Sequence, residues 1–249
     1  MSIELVILIA ALFFIVAILY SSVGHGGASG YIAVMGLMSV TPEVIRPVAL
    51  SLNVLVAGLA VYRFSKAGLV DWRGLLPLVL TSVPFAFLGG TIILPPEVYR
   101  PLLGVLLIFS ALYLIWQSIG KLAGLDSPDN RIPKLIGAGA GGGIGFLSGL
   151  TGIGGGVMLS PLMLILKWAS IRKTSAIAAV FILLNSLAGL AGNLASLQAI
   201  PSVLPIWAGA ALLGAMVGTS LGLKILPVRY LVWLLAIAVL ISGLKFLLI

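Results

Sequence analysis

The sequence predicts an all-α polytopic membrane protein made of two inverted-topology repeats, each a glycine-broken helical hairpin followed by three transmembrane helices. Three observations predict it. Apolar residues fill 61% of the 249 positions and charged residues 8%, with mean hydropathy +1.27, whereas soluble domains carry roughly 25% charged residues. Two uncharged runs, Leu5 to Pro42 and Leu135 to Leu166, each exceed one span of ~20 residues, and each is interrupted by glycine. Residue pairs also recur in the same order in both halves, most at a spacing of 128 residues and the others at 131 or 132. They are Gly24-x-Gly26-Gly27 with Gly152-x-Gly154-Gly155, Leu52-Asn53 with Leu184-Asn185, Pro77 with Pro205, Gly90-Thr91 with Gly218-Thr219, and Pro96 with Pro227.

Repeat 1 covers residues 1–119. Met1-Ser2-Ile3-Glu4 lacks the basic start of a signal peptide, so Leu5 to Tyr20 is expected to be a retained span. The broken hairpin is expected over 5–42, with Val23-Gly24-His25-Gly26-Gly27 at its turn, followed by spans at 47–62, 74–94 and 101–119. Residues 120–133 hold Lys121, Asp126, Asp129, Arg131 and two prolines and read as the inter-repeat linker. Repeat 2, residues 134–249, is expected to hold a second broken hairpin at 135–166 and spans at 174–194, 203–223 and 230–249. Eleven glycines lie between Gly137 and Gly156, of which Gly137, Gly139, Gly141 and Gly145 read as packing residues. Trp116, Trp168, Trp207 and Trp233 near span ends are expected to be interfacial anchors.

Loop charges choose the topology. If each broken run crosses once, the fourteen Lys and Arg divide seven against seven, and no orientation follows. If each run is re-entrant and returns to the face it left, eleven of them fall on one side and only Arg46, Arg100 and Lys245 on the other. The second arrangement satisfies the positive-inside rule. It places the chain in the cytoplasmic (inner) membrane with both termini extracytoplasmic, and it inverts the second half relative to the first.

The formal charge of +8 is dispersed between apolar segments, which argues against a nucleic-acid partner. The absence of cysteine removes disulfides and thiolate chemistry. One histidine and six carboxylates are too few for clustered acid-base or metal chemistry, so neither an enzyme, a cofactor nor a metal is expected.

Glycine-rich breaks let helices begin at mid-depth, where free amides and the positive end of the helix dipole favour an anion. His25, Gly26 and Gly27 in the first break and Thr151, Gly154, Gly155 and Gly156 in the second are therefore the candidate substrate-binding residues. Asn53 and Asn185 join them as buried amides in matching spans, and Ser21, Ser22 and Ser186 could add hydroxyls. Each has a competing structural reading: the glycines as packing, the asparagines as interhelical hydrogen bonds, the hydroxyls as donors to their own helix. His25, the only histidine, is also the candidate for proton coupling, against a purely structural hydrogen bond. Arg46 could attract an anion or pair with Glu43.

On Gly24-His25-Gly26-Gly27, the stretch from Gly149 to Gly156, and Asn53 and Asn185 in the spans that follow, the chain resembles the sulfite exporter TauE/SafE family of membrane permeases along nearly its whole length. The resemblance implies transport of a small sulfur-containing or organic anion such as sulfite, thiosulfate or a sulfonate. The first break departs from the family pattern, with His25 for an apolar residue and only two consecutive glycines before Ala28. A passive anion channel, a membrane-embedded enzyme and a non-transporting assembly subunit are the other readings. Exact substrate, direction, coupling ion (H+ or Na+) and a homo-oligomeric state are left open.

Overall fold

The computed structural model describes residues 2–22, 24–118, 132–224 and 229–248. Most of the expected linker, together with Pro227 of the repeat pairs, lies outside these residues. The regular structure of the described residues is helical: α1 (Ile3–Ser22), α2 (Ala28–Leu37), α3 (Pro42–Lys66), α4 (Trp72–Thr91), α5 (Pro96–Ser118), α6 (Lys134–Thr151), α7 (Gly156–Ile165), α8 (Ile171–Gly192), α9 (Leu204–Lys224) and α10 (Arg229–Leu248). A 3₁₀ turn, Leu194–Ala199, follows α8.

Six of these helices are long and apolar enough to span a bilayer, and α2 and α7 are apolar but only ten residues long. At 1.5 Å per residue each of the two reaches about 15 Å, half a hydrocarbon core. Exposed apolar side chains, such as Ile7 and Leu8 of α1, Leu76 and Leu80 of α4, and Val105 and Leu112 of α5, suit a lipid surroundings. The expected spans are all helical, with ends shifted by a few residues. Pro47 and Pro101, taken as helix starts, lie inside helices that begin at Pro42 and Pro96, because proline is well placed in a first turn and its rigid φ suits entry. Asp71 caps α4, accepting from the backbone N–H of Arg73 and Gly74 at 3.1 and 3.0 Å.

Small residues bring helices from the two halves into backbone contact. Gly141, Gly145 and Gly149 of α6 rest in turn on the backbone of Leu78, Ser82 and Ala86 of α4, so these helices run parallel. The same arrangement recurs where Gly214 and Gly218 of α9 rest on Phe14 and Ile18 of α1. A side chain at any of these glycines would force the pair apart. Gly139 differs from the expectation, since it faces open space; it falls on the other side of α6 from the i, i+4 stripe.

Matched helices cross in opposite senses. Asn53 of α3 meets Ser186 of α8 while Leu50 meets Gly189 and Gly58 meets Leu183. Likewise Gly104 of α5 faces Gly243 and Leu247 of α10, whereas Gly243 faces Ile108. The α3–α8 and α5–α10 pairs are therefore antiparallel. Two aromatic expectations change: Trp207 is fully buried, its Nε1 donating to Val6 O at 3.2 Å, and Trp168 is also in the core, while Trp116 is exposed. Both indoles pack among apolar side chains, Trp207 with its ring 5.6 Å from that of Phe13 and Trp168 in a cluster with Met163 and Phe181.

Candidate functional site

Each break is shaped by glycines in left-handed conformations. Gly24 and Gly27 have φ of +79° and +96° in the first, and Gly152, Gly154 and Gly155 have φ of +86°, +83° and +77° in the second. Only glycine takes such angles without a steric cost, so the chain can leave one helix and start another after five residues in the first break and four in the second. The first turn folds α2 back on α1: Tyr31 packs edge-on against Phe13, centroids 4.9 Å apart, and the Tyr20 hydroxyl meets Ser29 Oγ at 2.6 Å. In the second, α7 leaves α6 and packs on α8 and α5.

The breaks meet on α3 and α8. A methyl group on Gly26 would lie 2.5 Å from Asn53 Oδ1 and 3.0 Å from Ile182 Cγ2; one on Gly154 would strike Asn53 Nδ2 and lie 3.2 Å from the same Ile182 carbon. Asn53, fully buried, thus stands between the two breaks. Gly156, first residue of α7, points toward His25 Cδ2 at 3.6 Å from the position of an added methyl. The beginnings of α2 and α7 are thereby brought to one place, with their unpaired amides and positive dipole ends.

The first glycine of each break rests on the opposite repeat. Gly24 abuts the backbone of Ser175 in α8, and Gly152 abuts that of Arg46 in α3. The 128-residue spacing that carries Gly24 to Gly152 carries Arg46 and Asn53 to within one residue of Ser175 and Ile182. In space, therefore, Ile182 is the counterpart of Asn53.

His25 is buried at 3% exposure. Its backbone N–H donates to Tyr20 O at 2.8 Å, and its Nε2 pairs with Ser160 Oγ of α7 at 3.0 Å. The rings of Tyr20 and Tyr113 flank it at 6.4 and 6.0 Å. Asn53 Nδ2 donates to Ser186 Oγ at 3.3 Å, and Asn53 Oδ1, though buried, has no hydrogen-bond partner.

The other expected residues are placed differently. Asn185 is buried one turn along α8 and its Nδ2 donates to Phe181 O of its own helix at 2.8 Å. The Thr151 hydroxyl donates to Leu147 O at 2.6 Å, and its carbonyl accepts from Tyr99 Oη at 3.0 Å. Gly27 packs under the ring of Tyr31, and Gly155 caps α7 beside Phe181 and Ile144. Arg46 donates to Ile92 O, Gly89 O and Gly90 O at 2.8, 3.0 and 2.6 Å, closing the C-terminal end of α4, where a cation complements the dipole.

Two cavities open at the end of the molecule where α3 begins. One, of about 280 Å³, is lined by Glu43, Arg46, Tyr99 and Asn193; the other, of about 220 Å³, by Ser39, Arg100 and Lys245, and both share Pro42. Arg46, Arg100 and Lys245, the three cations that the loop charges set apart, are hence at one end. Lys245 Nζ donates there to Gly36 O and Leu37 O, closing α2.

Ser160 and Ile182 were not foreseen. Ser160 has no echo in the first half, yet it follows Gly156 by one helical turn and so shares its face, a spacing that could have exposed it.

The model of the sulfite exporter TauE/SafE family matches residues 9–246. The chain belongs to the TauE/SafE family. It is 39% identical over 239 residues to a protein of Sinorhizobium fredii (strain NBRC 101917 / NGR234) named "Probable membrane transporter protein y4hK", covering 96% of this chain and 97% of that one. It is also 28% identical over 136 residues to "Probable membrane transporter protein MJ0441" of Methanocaldococcus jannaschii, covering 53% and 49% of the two chains. No solved structure matches. As a TauE/SafE protein with six long apolar helices, the chain is a multi-pass membrane transporter.

Proposed function

We propose that this TauE/SafE protein is a secondary transporter of a small sulfur-containing or organic anion, such as sulfite, thiosulfate or a sulfonate, working by alternating access around the point where both breaks approach Asn53. The observation that carries this reading is the convergence of Gly26 and Gly154 on one asparagine, beside the first turns of α2 and α7. Amides at two helix starts offer an anion several donors without any fixed charge, so binding stays weak enough for release. His25 beside Gly156 would supply proton coupling.

Loop charges support an inner-membrane orientation with Arg46, Arg100 and Lys245 outside. Because α9 packs on α1 and α4 on α6, the bodies that rock are mixed pairs drawn from both halves of the sequence. Flux of labelled sulfite into proteoliposomes tests the reading, with Gly154→Val as the variant whose side chain would enter the space held by Asn53. Saturable flux that the substitution abolishes is expected. Wild-type flux through Gly154→Val, or unitary channel currents, would overturn it.

A further inference from the structure

The two sides of this site differ in chemistry. Around the first break the buried side chains with polar atoms include, besides Asn53 and Tyr31, the six of His25, Tyr20, Ser29, Ser110, Tyr113 and Ser160. Tyr20, Ser29 and Ser110 form a closed chain, with Ser110 Oγ donating to Ser29 Oγ at 3.0 Å and the Tyr20 contact at 2.6 Å. Those three hydroxyls satisfy one another. Around the second break the residues 128 positions after His25 and Ser29 are Ile153 and Val157, and Phe181, Ile144 and Ile182 lie against its glycines together with Ser148 and Ser186.

Tyr113 is left unsatisfied on this side, as is Tyr31 beside Gly27. Tyr113 is 4% exposed, its ring lies 6.0 Å from that of His25, and its hydroxyl completes no hydrogen bond. A buried hydroxyl without a partner costs about 1–3 kcal/mol, so its retention here calls for a ligand or water that it serves.

We propose that Tyr113 and Ser160, with His25, form the substrate-selecting side of the site and hold the oxygen atoms of a group with three oxygens on one centre, as in sulfite or a sulfonate. This inference rests on the transporter reading. Tyr113 lies on α5, Ser160 on α7 and His25 in the first break, so three separate elements supply polar groups to suit a centre that carries three oxygens. A planar carboxylate has two oxygens and leaves one donor unmet, and a site built for hydrogen bonds discriminates against a ligand that leaves its groups unpaired. None of the six side chains is a carboxylate, so nothing among them repels an anion.

The test measures uptake of labelled sulfite by reconstituted wild type, Tyr113→Phe, Ser160→Ala and Gly154→Val, with methanesulfonate and acetate as competitors. Tyr113→Phe and Ser160→Ala should each raise the KM for sulfite about tenfold or more with little change in maximal rate, and narrow the preference for methanesulfonate over acetate. If both keep KM and preference within twofold while Gly154→Val is inactive, the hydroxyls are structural and the inference fails with the transporter reading intact. If Gly154→Val transports sulfite normally, that reading falls and takes the inference with it. Should Tyr113→Phe not accumulate, Ser160→Ala alone decides by the same criteria.

Discussion

His25 and Ser160 are 135 positions apart in the chain and 3.0 Å apart in the fold, so the first break is tied to the helix that begins at the second. The contact joins the two halves at the level of Asn53. If proton uptake accompanies transport, the imidazole is the side chain of this site equipped to carry the proton. Its flanking groups are the phenols of Tyr20 and Tyr113 and the hydroxyl of Ser160. His25→Gln should therefore flatten the dependence of sulfite flux on pH, measured with and without an imposed pH gradient. An unaltered profile would assign His25 to structure.

Asn53 and Asn185 look alike in sequence but differ in the fold. Asn53→Ala should reduce flux by at least about tenfold, since its amide stands between the two breaks. Asn185→Ala removes a bond to Phe181 within α8 and should alter mainly the melting temperature. Equal losses of flux in the two variants at equal amounts of folded protein would contradict this division.

Arg46 ties α3 to the end of α4 through three carbonyls while 6% exposed. Replacing it with Met should destabilise the protein by about 2 kcal/mol or more, because buried carbonyls lose a charged donor. Arg46→Lys should recover only part of this, as an ammonium cannot reproduce the planar fork. Thermal unfolding in detergent reads both. A full recovery by lysine would favour a role for the charge itself.

Gly145 and Gly139 share α6 but not its contacts. A methyl on Gly145 would lie 2.6 Å from Ser82 Cα, whereas Gly139 has open space. Gly145→Ala should cost about 1–3 kcal/mol by wedging α4 from α6, and Gly139→Ala should be neutral to within about 0.5 kcal/mol. Melting curves of the two variants, run side by side, separate a packing stripe from a merely glycine-rich segment.

Composition and uncharged runs are properties of whole segments, and on them the membrane class, the helices and both breaks were legible. The sorting of Arg46, Arg100 and Lys245 to one end was legible too, since charge in loops follows topology. Asn185 shows the limit: its echo of Asn53 is displaced by one helical turn from the structural match at Ile182, and sequence identity outweighed spacing. Trp207 and Ser160 depend on what lies across the bundle, 201 and 135 residues away, and no local pattern encodes such partners.

The bond from Trp207 Nε1 to Val6 O gives the backbone pairing of α9 with α1 a meaning for biogenesis. The first helix emerges from the ribosome long before the helix it will lie against has been made. During that interval its Gly-facing side, around Phe14 and Ile18, must be held by lipid or by the insertion machinery rather than by protein. Closing a loop of some 201 residues costs only a logarithmic penalty in entropy, but the wait is set by synthesis. A truncation that stops before α9 should leave α1 inserted yet unclasped, and open to quality-control proteolysis.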